Sequence, residues 1–402
     1  MTDFETIANR LDILQKKDIL SKQEVAYLKT PKNIEKTFVQ WETENGTNEA
    51  PAYRVLFNDD RGPGKGGIRY HPEVSLNEVK SLAFWMALKT SLVNIPFGGA
   101  KGGVSIHPKQ LSSKQLTEIS RSFVRNLYDV LGPDKDIPAP DVYTNPAIMA
   151  VMLDEYESLE GKHVPSFITG KPQAVGGSKG RDTATARGAF FITKELYASG
   201  TVAIQGFGNA GYHYARYLVE EGYTVVAVSD SQGAIYNQNG ISIEAVKQAK
   251  DEHGSVIDAQ EEEISNEELL ALNVDVLVPA ALDNVITEAN AEHVQADTIL
   301  EVANGPVSPD ADRILEDNDI TVIPDILANS GGVIVSYFEW VQNRSGDMWS
   351  HEKVDQKLRE IITEAWSEVK QVQEEYDVNL RQSAYIIASR RILRAARLRK
   401  RI

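Results

Sequence analysis

The chain has 402 residues, 42% of them hydrophobic and 25% charged. That is enough for two to three domains at roughly 100–200 residues each, and it is not the composition of a disordered chain. Fifty-eight acidic against 42 basic side chains give a formal charge of −16, the wrong sign for a nucleic-acid binder, and the lack of any cysteine excludes disulfides, thiolate nucleophiles and thiolate metal sites.

The opening stretch MTDFETIANRLDILQKK is charged and periodic and lacks the apolar core of a signal peptide. No run of about 18 apolar residues follows. The expectation is a cytoplasmic protein with no membrane and no nucleic-acid partner. Residues 1–30 and 32–48 read as helical or mixed surface segments. PAYRVLFN (51–58) alternates like a strand and runs into a turn-rich stretch, DDRGPGKGG. Residues 75–93 have helical spacing, with Ser75 as N-cap and Glu78 three residues on. Helices are also predicted over 114–131 and 146–158, with loop and short strand between.

The character changes near residue 170, where TGKPQAVGGSKGRDTATARG reads as a domain connection. Beyond it, helices (183–198, 211–221, 242–252) alternate with Val/Ile-rich strands: TVAIQ, TVVAVSD, VDVLVPA, TILEVAN and ITVIPD. That pattern predicts an α/β fold with a doubly wound parallel sheet covered on both faces. The acidic run at 258–268 reads as solvated surface. The tail from 351 is helical and ends in a basic amphipathic segment, whose bases complement the helix C-terminus and pack against acidic neighbours.

Gly206-Phe207-Gly208-Asn209-Ala210-Gly211 follows a predicted strand and opens a predicted helix, and a second strand ends in Asp230, followed by Ser231. This is the dinucleotide fingerprint in its required context. Gly206 permits the tight turn, Gly208 lets backbone N–H groups approach the pyrophosphate, and Gly211 lets the helix pack on the strand. Asp230 would take the adenosine ribose hydroxyls. Because a carboxylate repels a 2′-phosphate, and no Arg or Lys follows within several residues, the cofactor is NAD or NADP with a lean to NAD.

Three lysines sit beside glycine pairs: Lys65, Lys101 and Lys179. None has the spacing of a phosphate-binding ATPase loop. A glycine-flanked lysine in a cleft can lose enough pKa to act as a base, whereas on a surface turn it only solvates the chain. With Lys89 on the predicted helix just before Lys101, and Asp141 40 residues after it, the group suits a small, multiply anionic substrate. No metal-ligand spacing occurs: Asp134, Asp136, His71 and His107 read as loop acids and structural histidines.

KGGIRYHP, MALKTSLVNIPFGGAKGG, PAPDVYTNP, GFGNAG and ANSGGVIVSYFEW, in this order, resemble the glutamate dehydrogenase family within the wider amino-acid dehydrogenases. The resemblance runs from about residue 30 to the C-terminus. It implies oxidative deamination of glutamate to 2-oxoglutarate and ammonia with hydride transfer to NAD(P). It makes Lys101 the catalytic lysine and Asp141 its proton-shuttling partner. Lys89 would hold the α-carboxylate, and Lys65 and Ser336 the distal carboxylate, with Gly66 and Val333 lining the slot. Thr185, Ala280, Asn304 and Asn329 fall on the cofactor side. One departure is Ala186, where the family commonly has glycine; alanine suits a helix start there.

The resemblance further implies a substrate and assembly domain (1–175), a Rossmann-type domain (176–350) and C-terminal helices (351–402) packing back on the first, with a cleft that closes, in a homohexamer. Leucine, valine and phenylalanine dehydrogenases share the catalytic pair but lack a cationic distal pocket, so Lys65 and Ser336 favour glutamate. A dehydrogenase of an apolar amino acid, and less so a catalytically inactive homologue, are the alternatives.

Overall fold

The computed structural model describes residues 4–44 and 46–402; residues 1–3 of the first predicted segment, and Asn45 of the second, lie outside. The chain divides into two compact units. The first holds residues 4–182, Val333–Lys357 and Tyr385–Ile402; the second holds Thr183–Gly332 and Leu358–Ala384.

In the first unit a five-stranded sheet runs in the order β1-β2-β4-β3-β5. Its strands are β1 (Asn33–Thr43), β2 (Gly46–Asn58), β3 (Gly64–Tyr70), β4 (Gly99–Val104) and β5 (Asp136–Pro140). β2 pairs antiparallel with β1 and with β4, whereas β3 lies parallel to both β4 and β5. β1 replaces the helical or mixed segment expected over 32–48. It pairs with β2 along its whole length, and toward its end Val39 and Trp41 turn inward between exposed Phe38, Gln40 and Glu42, a period of two.

The glycine-rich stretches around Lys65 and Lys101, the first of them turn-rich by sequence, are the interior strands β3 and β4. Glycine looks like a turn residue because it carries nothing to pack. Here that lack is what the fold uses: a Cβ on Gly66 would lie 1.6 Å from the Ala100 carbonyl oxygen of the adjacent strand. The prolines of β5 are tolerated because β5 is an edge strand.

Helix Leu76–Leu92 packs on β2 and β4. Ser75 caps it, its Oγ accepting from the Glu78 N–H at 3.3 Å. Helices Ser113–Leu127 and Pro146–Glu160 enclose a core that includes Ile68, Tyr70, Val104, Phe123, Met152 and Phe167. The basic tail is tied down by charge. Arg391 donates to the Leu92 carbonyl at the end of helix Leu76–Leu92, Arg397 pairs with Glu24, and Arg401 donates to Asp59 and Asp60 at 2.7 Å each.

The second unit carries a seven-stranded sheet ordered β12-β11-β10-β6-β7-β8-β9. The strands are β6 (Thr201–Gln205), β7 (Thr224–Ser229), β8 (Ala234–Tyr236), β9 (Glu262–Ile264), β10 (Val276–Pro279), β11 (Thr298–Leu300) and β12 (Thr321–Ile323). β6, β7, β10, β11 and β12 run parallel, as the strand–helix alternation predicts. Antiparallel β8 and β9 extend one edge. They were not legible: each is three residues long, and β9 lies in the acidic run with two exposed glutamates. The strand order reverses between β6 and β10, the place where open α/β sheets bind ligands at their carboxyl ends.

Candidate active site

Lys101 and Asp141 meet in the first unit. β4 sets Gly102 beside Ile68 of β3, so Lys101 falls beside Gly67, and strand alternation puts Lys65 on the same face. The Lys101 ammonium is ion-paired with Asp141 Oδ2, and both side chains are mostly buried. Asp141 Oδ1 accepts from the Val142 N–H at 2.7 Å and lies 3.5 Å from the Arg69 guanidinium. Arg69 is held from behind by Glu78, at 2.5 Å.

Burial pushes the Lys101 pKa below the usual lysine value; Arg69 and Arg54 add to this and Asp141 opposes it. Burial by itself would raise the Asp141 carboxyl, but Lys101 and Arg69 outweigh it and hold it well below the carboxylate range. The pair therefore joins an amine made easier to deprotonate to a carboxylate that stays ionised.

Lys65 is 1% exposed. Its Nζ donates to the carbonyls of Ile137 at 3.4 Å and Pro138 at 3.2 Å. Burial drives its pKa far down, with Arg181 and Arg54 as like charges; Glu339 and Asp136 pull the other way. Arg181 Nε donates to Ser336 Oγ at 2.9 Å, which joins Ser336 to the cations around Lys65. Val333 and Ser336 lie three residues apart on helix Gly331–Ser345, both buried on one face. Lys89 is buried in the last turn of helix Leu76–Leu92. Lys179, the third glycine-flanked lysine, is exposed.

Beneath these residues Arg54 and Asp136 form a bidentate pair at 2.8 and 2.5 Å, and Arg54 also donates to the Gly66 carbonyl at 3.1 Å. Lys171 and Glu339 make a second buried pair at 2.7 Å, and Glu339 also accepts from the Gly170 N–H.

The second unit places the Gly206–Gly211 turn, Asp230, Ser231 and Ala280 at the carboxyl ends of β6, β7 and β10. Gly206 has φ +103°, and a Cβ there would meet Ala281 at 2.7 Å. Ala280 donates to the Gln205 carbonyl at 2.8 Å, and both Gly206 and Phe207 donate to the Ser229 carbonyl. Gly211 is pressed against the turn: a Cβ would lie 2.0 Å from the Gly206 oxygen. Among the described residues, nothing lies within 4 Å of a would-be Cβ on Gly208, and no side chain caps helix Asn209–Glu220, which begins there with Asn209 and Ala210. Open space at a helix start suits phosphate oxygens.

Asp230 differs from expectation. Its carboxylate accepts from Gln232 N, Ser255 Oγ, Val256 N and the Lys250 ammonium, all within 2.9–3.0 Å. The base that the local sequence lacks arrives from helix Ile243–His253. Ser231 beside it is exposed.

Asn329 Nδ2 donates to the carbonyls of Val302 and Ala303 and to Asn304 Oδ1, at 3.1–3.2 Å. Its own Oδ1 is buried and has no hydrogen-bond partner among the described residues, as is the case for Gln205 Oε1. Such acceptors fit an amide-bearing ligand. Thr185 lies in the first turn of helix Ala184–Leu196, which crosses Gly331 so closely that a Cβ there would sit 2.0 Å from the Ala184 oxygen. Ala186 is helical and needs no left-handed φ.

Residues 176–400 match the family described as Glutamate/Leucine/Phenylalanine/Valine dehydrogenase, and residues 31–158 match the Glu/Leu/Phe/Val dehydrogenase dimerisation domain. The chain belongs to this dehydrogenase family. It is 48% identical to the NADP-specific glutamate dehydrogenase of Synechocystis sp., over 98% of this chain and 96% of that one. It is 46% identical to the NAD-specific glutamate dehydrogenase of Staphylococcus aureus, over 86% of each. The hetero-hexameric glutamate dehydrogenase of Thermus thermophilus, in its Leu-bound form, superposes with a TM-score of 0.92 at 34% identity, covering 97% of this chain and 95% of that one.

In this Glu/Leu/Phe/Val dehydrogenase, sequence reasoning missed Arg181, Arg54 with Asp136, Arg69 with Glu78, and Lys250. Arg181 had a signal, since it directly follows the glycine turn at 176–180. The others are counter-ions whose partners lie far off in the chain or across a strand.

Proposed function

We propose that this dehydrogenase deaminates L-glutamate oxidatively and reversibly to 2-oxoglutarate and ammonia, with hydride transfer to NAD(P). The carrying observation is Lys65: a wholly buried ammonium, with Arg181 and Ser336 nearby, in the same unit as the Lys101–Asp141 pair. Lys65 has carbonyl partners and Arg181 has Ser336, but an apolar substrate side chain would bring no counter-charge to these crowded, buried cations. A distal carboxylate satisfies them. This disfavours leucine, valine or phenylalanine as the main substrate.

In this reading Lys89 takes the α-carboxylate while Lys65 and Ser336 take the distal one, so that two cationic anchors orient the Cα–H. Gly66 and Val333 line the slot. Lys101, as the neutral amine, activates water against the 2-iminoglutarate carbon and later polarises the carbonyl. Asp141 exchanges protons with the substrate nitrogen. A bound nicotinamide ring supplies the hydride acceptor. The turn from Gly206 to Gly211 would hold the pyrophosphate, Asn304, Asn329 and Thr185 would hold the nicotinamide end, and Asp230, Ser231 and Ala280 would hold the adenosine side.

The lean to NAD rests on Asp230. Lys250 offsets that charge, so we read the preference as small, with both dinucleotides used. We assign substrate binding to residues 1–175, extended to Asp182 and joined by Val333–Lys357 and Tyr385–Ile402, and dinucleotide binding to Thr183–Gly332 joined by Leu358–Ala384, in line with the contacts of each unit. We further read the protein as a cytoplasmic homohexamer; a six-chain assembly is in keeping with the Thermus thermophilus relative.

Steady-state kinetics with glutamate and leucine, each with NAD and NADP, tests the reading. Glutamate should be strongly preferred with either dinucleotide, and Lys65→Leu should reverse that preference. Unchanged glutamate kinetics in Lys65→Leu would remove this lysine from the pocket.

A further inference from the structure

The loop after β11 carries Asn304, and its support lies in the C-terminal helix Leu380–Leu398. Glu301, the first residue beyond β11, is wholly buried, and so, nearly, is Asp325. Glu301 Oε2 accepts from the Asp325 N–H at 2.8 Å, and Asp325 Oδ2 accepts from the Gly305 N–H at 2.9 Å. The two carboxylates thus clamp both ends of the segment holding Asn304.

Two such groups cannot stay ionised side by side in the interior without a counter-charge. Arg381 supplies it. Its guanidinium donates to both Glu301 oxygens, at 2.7 and 2.8 Å, and to Asp312 Oδ1, at 2.8 and 3.1 Å, and it lies 3.9 Å from Asp325 Oδ1. Arg381 is the second residue of its helix, where the macrodipole disfavours a cation. Its place is explained by the carboxylates it meets and not by the helix that carries it.

We infer that Arg381 is a positioning residue for the dinucleotide site, acting through Glu301 and Asp325 to fix the Asn304–Gly305 segment. The inference rests on the reading that the dinucleotide meets Asn304. Without Arg381 the two carboxylates repel, the Asp325–Gly305 bond is lost, and Asn304 leaves Asn329.

The test titrates NADH and NADPH into folded variants by fluorescence. Arg381→Met should raise both dissociation constants about 10-fold or more, the scale expected of a displaced contact residue. Glutamate KM at saturating dinucleotide should stay unchanged, a split that mere loss of stability would not give. Adding Glu301→Gln, which removes the charge and keeps an acceptor for Asp325, should bring the constants back to within about threefold. Wild-type constants in folded Arg381→Met, or no recovery in the double variant, would overturn the inference. If Arg381→Met does not fold, Arg381→Lys takes its place. It keeps the charge and loses the fork, so a rise of about threefold is expected, and an unchanged constant overturns the inference. Asn304→Ala separates the two levels. If it binds dinucleotide normally, the placement of the dinucleotide at this loop fails; if it weakens binding while Arg381→Met does not, only the role of Arg381 fails.

Discussion

Glycine serves opposite ends in β3 and β4 of the first unit and at Gly208 of the second, whose neighbours Gly206 and Gly211 are themselves closely packed. In β3 and β4 the room left by the missing side chain is already filled: a Cβ on Gly66 would overlap the Ala100 backbone, and one on Gly67 would lie 2.7 Å from the Pro140 oxygen. At Gly208 the room is left open. The first set of glycines brings strands together so that their lysines share one face; Gly208 leaves bare the surface to which we assign the pyrophosphate. A glycine pattern therefore carries no function until the occupant of its empty volume is known.

That contrast can be broken most severely at Gly66. Gly66→Ala forces β3 and β4 apart and should destabilise the protein by more than about 4–5 kcal/mol, giving insoluble protein or a greatly lowered urea midpoint. A midpoint near wild type would mean the strands separate easily. Lys101→Ala is next. It should leave folding intact and glutamate binding measurable, yet lower kcat about 10²–10⁴-fold. Near-normal turnover would return this lysine to a structural role.

Arg69→Gln sharpens the electrostatic side of the comparison. Removing this cation favours protonated Lys101, so its pKa rises and the neutral amine appears only at higher pH. The acid limb of the kcat/KM profile for glutamate oxidation should move to higher pH; a limb that stays put or moves down counts against Lys101 as the titrating base. Gly208→Ala should have the smallest effect on stability, within about 1 kcal/mol, since its φ of −87° suits alanine. Dinucleotide KM should rise all the same. Equal stability losses in Gly208→Ala and Gly66→Ala would erase the distinction.

Legibility followed the range of the physical signal. Helices with clear periodicity and caps, such as the one begun by Ser75, and the five parallel strands of the second unit were readable because their evidence is local. β1 was misread because apolar and polar side chains alternate clearly only near its end. β3 and β4 were misread because glycine signals a turn unless the neighbour that fills its place is known. The candidate site residues were proposed from motifs, while their counter-ions were not foreseen: Arg54 finds Asp136, and Lys250 finds Asp230, only after the chain has folded. Asp230 shows the consequence, since a carboxylate read as free to bind ribose has four protein partners.

On the proposed reading, in which Lys65 takes the distal carboxylate, the crowding of cations around it also makes substrate capture a proton event. In the free protein this ammonium is disfavoured by burial and by Arg181 and Arg54. A dicarboxylate arriving beside it reverses that balance and raises its pKa, so between the two values the site takes up a proton as it binds. The heat of binding 2-oxoglutarate in a calorimeter then depends on the ionisation enthalpy of the buffer.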